Sequence, residues 1–245
     1  MHKTKMTKGY SNAPRRLKPG LIKPETNRAS ATNIYKLAVR YYNGDGVTRS
    51  LRRSFLLTRE SAKMGYRVAQ YALGCDYEYG IGTRKNLRAA AEWYCRAASA
   101  GDKTALYTMG CVYMDGIGVR RDVSRGMKIL ETCAANGDRD AIYALGHSHR
   151  HNRVITHDLP RAARLLMRAA RLGQIDAQFS LGVCYRRGEG VKHDDRLAFQ
   201  WFRRAAKSGD KDAIYNLAWY YEHGIGTKQN AGLAKLWRRK IAGRH

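Results

Sequence analysis

Glycine pairs return along this chain at a fixed interval, and that interval constrains its fold more than any other feature. The first glycine of a G-x-G falls at Gly44, Gly80, Gly116, Gly188 and Gly224, on a lattice of 36 residues. The second glycine follows at Gly46, Gly82, Gly118, Gly190 and Gly226, and Asn152 and Val154 stand in the only gap. Six units of 36 residues cover residues 30–245. A period of this length marks a repeat array, in which each unit buries its apolar face only by stacking on its neighbours.

The same lattice orders the rest of the unit. One helix carries an aromatic at Tyr35, Tyr71, Tyr107, Tyr143, Phe179 and Tyr215, followed by Leu37-Ala38, Leu73-Gly74, Met109-Gly110, Leu145-Gly146, Leu181-Gly182 and Leu217-Ala218. Apolar residues recur at helical spacing and not at every second position, which excludes strands. Glycine inside a helix costs about 1 kcal/mol against alanine, so its recurrence there implies close contact with another helix. The G-x-G ends that first helix through the left-handed conformation. Ser50, Asn86, Asp122, Asp158, Asp194 and Asn230 then stand at one lattice position. All are good N-cap residues, so a second helix starts there. It carries Ala62, Ala98, Ala134, Ala170, Ala206 and Ala242 and ends at Gly65, Gly101, Gly137, Gly173 and Gly209. Asp102, Asp138 and Asp210 are placed to cap the next first helix.

The string L-G-x-x-Y-x-x-G-x-G-V-x-x-D, then A-x-x-W-Y/F-x-x-A-A-x-x-G, resembles the Sel-one-like repeat, a relative of the tetratricopeptide repeat. Leu73 to Gly101 and Leu181 to Gly209 carry it best, with Trp93-Tyr94 and Trp201-Phe202. The resemblance implies an all-α fold: a right-handed α/α superhelix of six 36-residue helix-turn-helix repeats whose first helices line a concave face. It also implies adaptor or scaffold work through protein contact. Fold-level analogy does not name the partner. The fourth unit departs from the pattern with His147-Ser148-His149-Arg150-His151-Asn152, so an irregular turn and a bend are expected there. The per-repeat disulfide of secreted relatives is not carried over, because the five cysteines follow no paired lattice.

Residues 1–33 are mostly polar and basic, with Pro14, Pro19 and Pro24, and read as a disordered arm ahead of a solenoid over residues 34–245. They lack the apolar run of a signal peptide, and the prolines oppose the amphipathic helix of a mitochondrial presequence. No stretch reaches the roughly 18 apolar residues of a membrane span. An odd number of cysteines without a signal sequence points to reduced thiols in the cytoplasm.

The net charge is +26. The second helices with their exits hold 21 basic and 4 acidic residues, whereas the first helices with their links hold 9 and 10. The outer layer is therefore expected to be basic, through Arg52, Arg53, Arg161, Arg164, Arg168, Arg196, Arg203, Arg204, Arg238, Arg239 and Lys240. The concave face is expected to be near neutral and aromatic, through Tyr41, Tyr77, Tyr113, Tyr185, Trp219 and Tyr221. Basic helix faces are often simply solvated. A charge of this size still adds self-repulsion that an anionic partner relieves. Nucleic acid, an acidic protein surface and an anionic membrane surface all meet that requirement.

Catalytic signatures are missing: there is no K-T-G, G-x-S-x-G, H-E-x-x-H or Walker motif. The one S-x-x-K, Ser208 to Lys211, straddles the glycine turn between two units and reads as a helix end and a cap. The G-x-G is not a dinucleotide fingerprint, since no strand precedes it. His147 and His151 share a helix face with His157 nearby, a weak metal candidate. Without a cysteine or carboxylate to complete the set, an ordinary helix end is the stronger reading, and no metal or cofactor is assigned. Cys75 and Cys111 share a lattice position and read as small helix-contact residues. The leading reading is a non-enzymatic scaffold that grips a protein in its concave face. The alternative is a protein that binds RNA or DNA backbone through the basic layer and arm.

Overall fold

The computed structural model describes residues 30–151 and 158–242. Nearly all of the expected arm, the expected irregular turn of the fourth repeat, and His157 lie outside the described residues. Among those described, the chain forms twelve α-helices and no strand. They pair in chain order: α1 (Ala31–Asn43) with α2 (Leu51–Lys63), α3 (Arg67–Tyr79) with α4 (Leu87–Ser99), and α5 (Lys103–Asp115) with α6 (Val123–Ala135). Next come α7 (Arg139–His151) with α8 (Leu159–Arg171), α9 (Ile175–Arg187) with α10 (Asp195–Lys207), and α11 (Lys211–His223) with α12 (Ala231–Ala242).

Local chemistry explains these bounds. All six residues read as second-helix N-caps accept a backbone N–H three residues on, at 2.8–3.3 Å. Asp102, Asp138 and Asp210 do the same for α5, α7 and α11. Two caps escaped the sequence reading: Ser30 accepts from Asn33 N–H, and Gln174 accepts from Ala177 N–H. In five of the six repeats the backbone N–H of the second-helix cap donates in turn to the carbonyl of the first-helix tyrosine, as Ser50 does to Tyr41 and Asn230 to Tyr221. This bond ties the second helix to the first across the turn. The glycines opening each G-x-G adopt the left-handed conformation, with φ between 67° and 87°.

By contacts the chain divides into two compact units, one ending at Ile129 and the other beginning at Leu130. In the first unit α1 packs on α2, α2 on α3, α3 on α4 and α4 on α5. In the second the same order runs from α7 through α12. Within these stretches each helix meets its chain neighbours, as expected of a quasi-one-dimensional array. The core of the first unit gathers Tyr35, Phe55 and Leu73, with Tyr94, Met109 and Val112 in a second cluster. The second unit centres on Phe199, Phe202, Ile214, Leu217 and Tyr220. Each fully buried ring or aliphatic side chain stabilises by about 1.5–3 kcal/mol.

Glycine sets the distances in this packing. A Cβ at Gly74 would stand 2.5 Å from the ring of Tyr94, and one at Gly182 would stand 2.8 Å from the ring of Phe202. The helix glycines thus admit an aromatic of the second helix, the close contact their cost implied. In the turns, a Cβ at Gly82 would stand 2.1 Å from the carbonyl oxygen of Leu51, in the preceding repeat. Gly65 has nothing within 4 Å of the same point, although its φ is also positive at 86°. Gly82→Ala should therefore cost about 2–4 kcal/mol, and Gly65→Ala only the strain of about 1 kcal/mol. Thermal melts followed by circular dichroism check this, with the larger fall in midpoint expected for Gly82→Ala.

Candidate functional site

The candidate aromatics all sit on first helices near their C-terminal ends, and all are half-buried. Tyr77 meets Phe55 edge-on at 5.4 Å, and Tyr221 meets Phe199 edge-on at 5.3 Å. Tyr41 lies under the guanidinium of Arg53 at 5.6 Å, and Tyr113 under that of Arg125 at 4.2 Å. Tyr185 and Trp219 pack against the core of the second unit. Each ring is thus packed against a neighbour and remains partly exposed. The most exposed aromatics are others: Tyr215, 63% exposed, and Tyr79, 47% exposed. Tyr215 shares a lattice position with Tyr35, which is buried, so the period alone marked it as core. It lies one turn before Trp219, whose ring stacks on His223 at 4.6 Å, making a Tyr-Trp-His stripe at i, i+4 and i+8.

Every candidate basic residue is exposed. Several are nonetheless engaged. Arg52 donates to the Gly82 carbonyl, Arg168 donates to the Ala134 carbonyl, Arg161 pairs with Glu131, and Arg238 pairs with Glu222. Arg204 lies over the Trp201 ring at 4.5 Å and Lys240 over Trp237 at 4.1 Å, as Arg96 lies over Trp93 at 4.5 Å. Such stacking contributes about 0.5–1 kcal/mol at exposed sites. The W-x-x-[RK] spacing that produces it is plain in the sequence, since residues three apart on a helix share a face. Arg164, Arg171, Arg196, Arg203 and Arg239 have no acidic or carbonyl partner among the described residues. Arg164, Arg168 and Arg171 line an open groove of about 610 Å³ beside α8, over a floor that includes Met167, Leu172 and Val191.

The five cysteines are free, and burial pushes the Cys75 thiol up to about 11. It is protonated at neutral pH and accepts a contact from the Tyr94 hydroxyl at 3.4 Å, a packing role like the one read from the lattice. No helix among the described residues is long and apolar enough to cross a membrane. Arg150, its side chain 8% exposed, pairs with Glu189 at 2.6 Å. Burial pushes the Glu189 carboxyl up, but hydrogen bonds and charge from Arg150 and Arg187 outweigh it and hold the group below its usual value.

The histidines of α7 are packed. His147 and His151 stack with ring centroids 4.5 Å apart, and Tyr143 lies 5.8 Å beyond. No group of three or more His, Cys, Asp or Glu is placed to hold a metal ion among the described residues. His149 occupies the place of the usual tyrosine, 7% exposed, with neither ring nitrogen hydrogen-bonded.

Tandem glycine-spaced helix pairs, capped and stacked within each unit, define a helical-repeat solenoid. The chain belongs to the Sel1 repeat family, whose model matches six consecutive stretches: residues 34–66, 67–102, 104–138, 139–174, 175–210 and 211–242. Sel1 repeats generally mediate protein–protein interaction. No curated protein matches the sequence. Among solved structures, the chain is similar to a Sel1 repeat protein from Oxalobacter formigenes, with TM-score 0.78 and 26% identity over 86% of this chain and 84% of that one. It is also similar to c5321, a protective antigen of uropathogenic Escherichia coli with an SLR fold. There the TM-score is 0.76 and the identity 30%, over 86% of this chain and 45% of that one, so this chain spans under half of c5321. The immunity protein PA5088 of Pseudomonas aeruginosa shares the fold alone, at TM-score 0.59 and 18% identity, over 92% of this chain and 87% of that one.

Burial, then the neighbouring His151 and Arg150, pushes His147 down to about 4 from the usual 6.5. The folded state favours the neutral ring, so its contribution is complete above about pH 6.5 and is lost as pH falls toward 4. Denaturant unfolding at pH 7 and pH 4.5 should show that His147→Val, the residue at the matching positions Val39 and Val183, removes about 1–3 kcal/mol of that acid loss. His149→Tyr, restoring the residue of the other repeats, should gain about 1 kcal/mol by relieving two unpaired buried nitrogens.

Proposed function

We propose that this chain is a non-enzymatic scaffold that holds a partner protein on the layer formed by its first helices, the face that the family resemblance makes concave. Tyr41, Tyr77 and Tyr113 are the contact set of the first unit, and Tyr185, Trp219 and Tyr221 that of the second. The observation that carries this reading is the recurrence of aromatic rings that are packed against neighbours yet partly exposed. Such rings are already ordered, so binding costs little side-chain entropy, and tyrosine and tryptophan dominate interface hot spots. The near balance of charge on the first helices, 9 basic against 10 acidic, supports contact with a protein and not with phosphate. The helical repeats, with α1 beginning at Ala31, are the interaction array in this reading, and the residues ahead of Ser30 are a basic appendage. Free thiols at all five cysteines suit a reducing compartment, which supports a cytoplasmic site of action.

The test is capture of partners by the full chain, followed by affinity measurement with the protein so identified. Trp219→Ala combined with Tyr215→Ser should weaken the complex about tenfold or more, while circular dichroism shows the fold retained. Affinity should change little as salt rises from about 50 to about 500 mM, because aromatic contacts release few counterions. A partner indifferent to both substitutions overturns the reading. Co-purifying nucleic acid whose binding collapses with salt replaces it with the backbone-binding alternative.

A further inference from the structure

The groove beside α8 has a counterpart two repeats earlier, and the two differ in charge. In the first unit the equivalent groove, about 510 Å³, is lined by Arg88, Glu92, Gly116, Gly118, Val119 and Arg120. Glu92 stands at the lattice position of Arg164, and it pairs with Arg88 at 3.6 Å. That groove sets one acid against two arginines, and the acid pairs with one of them. In the groove of the second unit Arg164, Arg168 and Arg171 occur with no acidic residue in the lining among the described residues. Arg168 is held by the Ala134 carbonyl, but Arg164 and Arg171 have no acidic or carbonyl partner among the described residues. Between them lie Met167, Val191 and Leu172, the last 48% exposed.

Three guanidinium groups around an apolar floor, two of them unpaired, are complementary to carboxylates flanking an apolar side chain. Phosphodiester backbone would satisfy the arginines and leave the floor wet, because it offers charge at regular spacing and no aliphatic group. A peptide of alternating acidic and bulky apolar residues satisfies both, since arginine pairs with carboxylate through two parallel hydrogen bonds. We infer that the α8 groove is a second, separate docking site that binds an acidic segment of a partner protein, with an apolar side chain on Met167 and Leu172 and carboxylates on Arg164 and Arg171. The site rests on the scaffold reading and gives the second-helix layer a ligand of its own. The arginines of α10 differ: Arg204 is stacked on Trp201, and neither it nor Arg203 lines this groove.

The probe is a fluorescein-labelled peptide alternating paired glutamates with single leucines, titrated against the full chain and followed by fluorescence anisotropy. Arg164→Glu with Arg171→Glu should weaken binding about tenfold or more, whereas Arg203→Glu with Arg204→Glu, an equal change of charge, should weaken it less than about threefold. Met167→Asp should weaken it about as much as the first pair. A peptide with serine in place of leucine should bind about tenfold more weakly. Equal losses from both arginine pairs mean diffuse attraction and overturn the proposal, as does a serine peptide that binds equally well. A DNA oligonucleotide that depends on Arg164 and Arg171 while the peptide does not also overturns it. If the captured partner is lost with Trp219→Ala but the peptide ignores the α8 variants, the first-helix reading stands and this one falls.

Discussion

Backbone meets backbone where the repeats stack, and that contact sets the spacing on which everything else rests. A Cβ at Gly82, Gly118, Gly190 or Gly226 would lie 2.0–2.3 Å from the carbonyl oxygen of Leu51, Leu87, Leu159 or Asp195. Each of these carbonyls belongs to the first residue of a second helix in the preceding repeat. No side chain intervenes, so the approach is fixed by backbone sterics and tolerates none of the slack a flexible side chain allows. With that spacing held, the helix glycines admit Tyr94 and Phe202, and the first-helix tyrosines reach Phe55 and Phe199 of the preceding repeat. The partial exposure of those tyrosines is therefore a by-product of stacking.

The same geometry separates the charges. First helices bury small residues and rings against their neighbours, which leaves few exposed positions for lysine or arginine. Second helices keep a solvated side, and there arginine accumulates. The repeats handle it in three ways. Some arginines pair with an acid, some stack on a tryptophan of their own helix, and some cap a carbonyl of the preceding repeat, as Arg168 does. Arg164 and Arg171 do none of these, which distinguishes the fourth repeat from the second. Repetition supplies the groove, and substitution at one lattice position changes its chemistry.

The fourth repeat also departs on its first helix. Histidine replaces the tyrosine at His149, and His147 lies where valine, cysteine or tryptophan stands elsewhere. A helix of the usual thirteen residues still forms, capped by Asp138, because helix formation here depends on cap and pattern and not on the identity of those side chains. The cost appears in packing instead, as two unpaired ring nitrogens and a histidine held neutral by burial.

The order of helices, the caps and the glycine turns were legible in the sequence because each depends on residues a few positions apart. Ser50 caps α2 through Arg53, and Gly44 ends α1, whatever lies elsewhere in the chain. The partition of charge between helix layers was legible for the same reason. Which side of Tyr77 is occupied was not, because Phe55 reaches it from another repeat. Nor could the period tell Tyr35, buried, from Tyr215, exposed, since burial is a property of the neighbour and not of the lattice. The α8 groove draws on Gly137, on α8 itself and on Val191, parts of three successive repeats. By itself the sequence determined the repeat and its register, through local backbone chemistry. Only the tertiary structure decided which rings and arginines remain unsatisfied, because that is settled by contacts across repeats.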